Sequence, residues 1–173
     1  MKKVIISVLM LAVVLLSLCA CVTRDELSTA FDGITNAKSA TQNIVVKSGN
    51  TEIAKESYTF SAQTGKCTVT KQVPNTDFDG EAWVTTTDTI DKDLKDLKIS
   101  LTRADFDNLA ASGSSHSGKL LPASLSKLGL QASDVKGDVK VEFTLSAGKL
   151  VSAKITYKSS NNNDVTITTT FTY

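Results

Sequence analysis

The chain has 173 residues, with 19 Lys and Arg against 18 Asp and Glu and a net charge of +1. That length suits one domain around a single core, and the near balance of charge, with no basic block, argues against a nucleic-acid partner. Three cysteines are too few for a dense disulfide framework.

Lys2 and Lys3 precede an apolar run from Val4 to Leu16, interrupted only by Ser7. A charged start followed by a short apolar stretch is the pattern of a secretory signal. Spanning a hydrocarbon core about 30 Å thick takes roughly 20 apolar residues, so a plain transmembrane anchor is the poorer reading. Leu18-Cys19-Ala20-Cys21 comes next. This segment resembles the lipobox of bacterial lipoprotein signals, with Leu three residues before a Cys and a small residue just before it. Cys19 suits the lipid site less well, because bulky Leu18 precedes it. The resemblance implies removal of residues 1–20, lipid (palmitate and diacylglyceryl chains) on Cys21, and an extracytoplasmic place at the cell membrane. In a Gram-negative cell the outer membrane is the other address. The alternative is an ordinary secreted protein cut near Ala20.

Two acyl chains anchor stably where one binds only marginally. Val22 and Thr23 leave almost no tether, so a domain spanning 21–173 is expected close to the headgroups. Loss of Lys2 and Lys3 leaves it slightly negative. With Cys19 removed and Cys21 lipidated, Cys67 stands alone and no internal disulfide can form.

Thr23-Arg24-Asp25-Glu26 reads as a capping box. Leu27, Phe31, Ile34 and Ala37 then share a helical face, predicting a helix from about Arg24 to Ser39 with Gly33 beside its apolar stripe. From Gln42 the period changes to two. Strands are expected at Asn43–Ser48, Glu52–Ala62, Lys66–Val73 and Glu81–Thr89, joined by short turns at Ser48-Gly49-Asn50 and Gln63-Thr64-Gly65. Pro74 to Gly80 breaks the pattern. Asp91 to Asp96 suggests one helical turn, and Leu97, Ile99 and Leu101 a strand.

Thr102-Arg103-Ala104-Asp105 is a looser capping box, and Phe106, Leu109 and Ala110 continue one helical face. Ser112 to Gly118 reads as a flexible Gly/Ser loop around His116. Leu121-Pro122 opens a second short helix, with Pro first and Gly129 closing it, and with Leu121, Leu125 and Leu128 as its stripe. The last third alternates cleanly. Val139, Val141, Phe143 and Leu145 face one way, as do Val151, Ala153, Ile155 and Tyr157, and then Val165, Ile167, Phe171 and Tyr173. That is a three-stranded antiparallel meander with one buried and one wet face, and its Thr residues suit exposed strand positions.

Helix, strands, helices, strands predicts an α+β domain. Its large curved antiparallel sheet would be covered by an N-terminal helix and two short middle helices. This element order resembles the bacterial lipoprotein-carrier family (LolA-like and LppX-like), and so does the closing Gly148-Lys149-Leu150-Val151 hairpin. The resemblance implies an interior that holds acyl chains beneath a helical lid. Phe106, Leu109, Leu121, Leu125 and Leu128 would line it, or else form ordinary core.

Candidate chemistry is sparse. Asn75-Thr76-Asp77-Phe78-Asp79-Gly80 approaches a calcium loop, but Thr86 stands where the closing bidentate Glu belongs, so no metal is expected. His116, the only histidine, has no positioned partner nucleophile and reads as a solvated loop residue. Cys67 reads as a small buried hydrophobe, and Trp83 falls out of phase on the outer face. No catalytic set and no cofactor are expected. The readings that stand are a non-catalytic lipoprotein holding a lipid or other apolar ligand, an envelope interaction module with a filled core, and, last, an enzyme.

Overall fold

The computed structural model describes residues 24–76, 82–97 and 101–173, with side chains from Leu27 onward. The leader, Cys21, the Thr23 capping box, residues 77–81 of the calcium-like loop and residues 98–100 of the expected Leu97–Leu101 strand lie outside the described residues.

Among the described residues one α-helix, α1, runs Arg24–Asp32 and passes into a 3₁₀ turn at Gly33–Asn36. Four strands follow: β1 Ser39–Ser48, β2 Thr51–Ser61, β3 Lys66–Pro74 and β4 Trp83–Ile90. After 3₁₀ turns at Leu94–Leu97 and Arg103–Asp105 come β5 Phe106–Ser112 and β6 Ser115–Leu120. A 3₁₀ helix at Pro122–Leu128 and a turn at Ala132–Asp134 lead to β7 Val135–Ser146, β8 Lys149–Ser159 and β9 Asp164–Thr172. The nine strands among the described residues form one antiparallel sheet in the order β4-β3-β2-β1-β9-β8-β7-β6-β5. Two meanders are thus joined where β1 meets β9, from Ser39 opposite Thr172 to Lys47 opposite Asp164.

Alternation gives the sheet two unlike faces. The outer face carries a row of hydroxyls through all nine strands: Thr89, Thr68, Thr59, Thr41, Thr170, Ser152, Thr144, Ser115 and Ser112. β-Branched Thr fits a pleated, wet surface. The inner face is apolar over β5–β9 and mixed over β2–β4, and α1 with its 3₁₀ continuation covers part of it. Leu27, Ala30, Phe31 and Ile34 are buried there, and the Phe31 ring meets Phe143 of β7 edge-on at 5.5 Å. Burying side chains of this size is worth about 1.5–3 kcal/mol each.

The expected covering layer is only partly present. α1 ends seven residues earlier than the Arg24–Ser39 helix predicted, because Gly33 starts the 3₁₀ turn and Ser39 already belongs to β1. A Cβ added at Gly33 would meet nothing within 4 Å, so close packing does not require the glycine.

The first middle helix is a strand. Thr102 and Asp105 do form the reciprocal cap, with the Thr102 N–H donating to Asp105 Oδ2 at 2.7 Å, but helix stops after one turn. Asn108 then takes a left-handed backbone (φ 56°), and the pairing with β6 slips between Asp107 and Ala110. This bulge adds a residue, so Phe106 and Leu109, three apart, both point inward. Their spacing imitates a helix. The Gly/Ser loop is the tight β5–β6 turn plus β6 itself, with Gly113 at φ 59° supplying the reversal. The second middle helix is 3₁₀ throughout, with Pro122 at its start and Gly129 in the left-handed conformation at its end.

Candidate functional site

The five residues expected to line an apolar interior differ in burial. Phe106 and Leu125 are buried members of the continuous core, Leu109 and Leu128 pack half-buried against it, and Leu121 is 37 % exposed. Phe106 and Leu109 stand over Gly118 of β6, where an added Cβ would lie 3.0 Å from Phe106 and 3.3 Å from the Leu109 backbone. Leu121 and Leu125 line a hollow of about 250 Å³ with Leu120, Pro122 and Val139, rimmed by the Lys119–Asp138 ion pair at 2.8 Å. Ligand pockets run about 300–1,000 Å³, so this hollow falls short of an acyl-chain site.

The two segments expected to form a lid are joined by Asp105. Asp105, 6 % exposed, accepts hydrogen bonds from Ser124 Oγ at 2.6 Å and Lys127 Nζ at 2.8 Å, besides the Thr102 N–H and hydroxyl. Burial alone would raise its pKa, but the donors from Lys127, Ser124 and Thr102 outweigh that and hold it at about 2. One carboxylate therefore clamps the 102–105 turn to the 122–128 helix.

A better candidate lies elsewhere on the inner face. Val141, Ile155, Ile167 and Ile44 follow one another from β7 through β8 and β9 to β1, and Tyr157, Val165, Val46 and Ala54 form the next row. The core covers Val141, while Ile44, Val46, Ile167, Ala54 and Tyr157 stay partly exposed. The strip continues onto the outer strands with Val73 opposite Val84, 50 % and 46 % exposed. On its polar side, Glu56 stands opposite Ile44 and Lys71. The Tyr58 hydroxyl donates to Glu56 Oε2 at 2.6 Å, and Lys71 Nζ lies 3.6 Å from Oε1. The hydrogen bond to Glu56, then burial, push the Tyr58 phenol up to about 12. The result is an apolar strip with one fixed polar cluster at its margin. Nothing in the sequence marks where helix cover ends, so alternation alone could not separate strip from core.

Two other single residues have definite places. His116 is not in a solvated loop. It is an inner-face residue of β6, 4 % exposed, stacked on Phe143 at 5.0 Å with the rings 3° apart. Neither ring nitrogen has a hydrogen-bond partner among the described residues. Cys67 is fully buried, as expected of a small hydrophobe, and burial raises its thiol pKa. Trp83 lies at the start of β4, half-buried beneath Lys55, whose Nζ sits 4.7 Å from the ring centre. A hollow of about 520 Å³ on the outer face is floored by Ala, Ser and Thr, with Glu142 and Lys154 3.7 Å apart in its wall. Among the described residues no cluster of His, Cys, Asp and Glu could hold a metal ion, and no helix is long and apolar enough to cross a membrane.

No family model matches this chain, and no curated protein matches it. Among solved structures, a redesigned beta barrel is similar at 11 % identity over 83 % of this chain and 96 % of its own, with a TM-score of 0.23. That score is too low to support any inference about fold or function.

Proposed function

We propose that the chain is a lipid-anchored, non-catalytic envelope protein that holds an apolar chain, such as a lipid acyl group, on the uncovered strip of its inner sheet face. The observation that carries this reading is the apolar run in which partly exposed Ile44, Val46 and Ala54 continue on the inner face to Val73 and Val84, 50 % and 46 % exposed. Contiguous exposed apolar surface on a folded domain marks a binding site more often than chance. The Tyr58–Glu56–Lys71 cluster would orient a polar headgroup at the margin. The anchor rests on the lipobox-like Leu18–Cys21 segment, and Cys21→Ala is expected to abolish acyl labelling.

Binding is tested with a fluorescent long-chain fatty acid added to the purified chain. Saturable binding that weakens at least tenfold in Ile44→Gln, which adds a polar group without a second carboxylate opposite Glu56, supports the proposal. Absent binding, or binding indifferent to Ile44→Gln, returns the choice to an interaction module with a filled core. That second reading draws on the ring contacts that run from Phe31 of α1 through Phe143 to Phe106, in one core that also takes in Leu125.

A further inference from the structure

The two edges of the sheet differ. β5 is blunted by the Asn108 bulge and by Asp107, devices that hinder strand addition. β4, at the other edge, runs Trp83-Val-Thr-Thr-Thr-Asp-Thr-Ile90 with no Lys, Pro or bulge. Among the described residues its backbone pairs with β3 on one side only. Val84 and Ile90, two of the exposed large hydrophobics among the described residues, lie on this strand and share the inner face. An unprotected edge of this kind is a template for another strand.

We propose that β4 pairs antiparallel with β4 of a second copy, in a register centred on Thr87, so that the sheet continues across a two-fold axis. The occupant and the register both follow from residue chemistry. A two-fold centred on Thr87 sets Val84 against the partner's Ile90 at each end, placing apolar beside apolar on the inner face. On the outer face it sets Thr85 against Thr89 and Thr87 against itself, extending the hydroxyl surface. Asp88, the only charge on β4, then meets Thr86. Moving the centre to Thr86 would press Asp88 against Val84. Moving it to Asp88 would oppose two carboxylates, which is destabilising. One register therefore satisfies both apolar and charged groups. The pairing does not depend on ligand binding at Ile44.

The test is the mass of the detergent-solubilised full chain by light scattering, corrected for the micelle. The wild type is expected as a dimer. Thr87→Lys and Thr87→Glu, which put like charges face to face at the axis, are each expected as monomers, and their equimolar mixture as a dimer. Thr85→Lys, which adds the same charge off the axis, should stay dimeric. Thr87 and Thr85 are exposed outer-face residues, so these changes leave the core intact. A monomeric wild type overturns the proposal and leaves the edge to some other strand. A dimeric Thr87→Lys overturns it too, since the contact would then lie elsewhere.

Discussion

Lys127 reaches back across the chain to Asp105, its ammonium 2.8 Å and 2.9 Å from the two carboxylate oxygens. Asp105 is held at about 2, below its ordinary 3.8, so it binds its proton less readily folded than unfolded. Its contribution is full above the unfolded value and is lost as pH falls from about 4 through 2. The shift corresponds to roughly 2 kcal/mol. Asp105→Asn should therefore lower stability by about that amount at pH 7 and by little near pH 2. Urea unfolding of both proteins at the two pH values measures it. An equal deficit at both would remove the charge from the account.

Gly118 has no side chain because Phe106 and Leu109 occupy the space a Cβ would need. Gly118→Ala forces those residues or the β5 backbone aside, at about 1–3 kcal/mol, a usual cost of overpacking. The loss should be largest in β5, seen as faster amide exchange at Ala110 and Ala111. Wild-type stability in Gly118→Ala would show that the bulged edge yields freely.

Legibility in the sequence followed the regularity of each segment. β7, β8 and β9 were readable because Val139, Val141 and Phe143, and likewise Val165 and Ile167, alternate without interruption. Cys67 and the Pro122–Gly129 bounds were readable for the same kind of local reason. β5 was not, because the positive φ of Asn108 turns a two-residue period into an apparent three. His116 was misplaced with it, since a flexible loop and a Ser/Gly-rich β6 have the same composition. Of the five Leu and Phe positions, Phe106 and Leu125 are core, Leu109 and Leu128 half-buried and Leu121 is 37 % exposed. What surrounds Phe106 and Leu109 depends on the β5 bulge that sets both over Gly118, which no local pattern reports.

His116 stacks on Phe143 with both ring nitrogens unpartnered among the described residues. A buried polar group without a partner costs about 1–3 kcal/mol of desolvation. Replacing the imidazole by an apolar side chain removes that cost, so His116→Leu should hold or raise stability at pH 7, by up to about 1 kcal/mol after loss of the ring stack. Thermal melts decide the point. A drop of several degrees would mean that the imidazole has a polar partner in solution.

Tyr58 should be the last of the three tyrosines to ionise. Its phenol is raised to about 12, chiefly by donating to the already negative Glu56, whereas Tyr157 and Tyr173 are raised first by burial. Deprotonating Tyr58 would set two anions within hydrogen-bond distance. A raised folded value stabilises the protein fully below the unfolded value near 10, and that contribution disappears as pH climbs through 12. In an ultraviolet titration Glu56→Gln should bring the final tyrosine transition down toward the other two, because a neutral amide still accepts the hydrogen bond but no longer repels phenolate. A final transition unmoved by Glu56→Gln would assign the late tyrosine to burial and detach Glu56 from the strip.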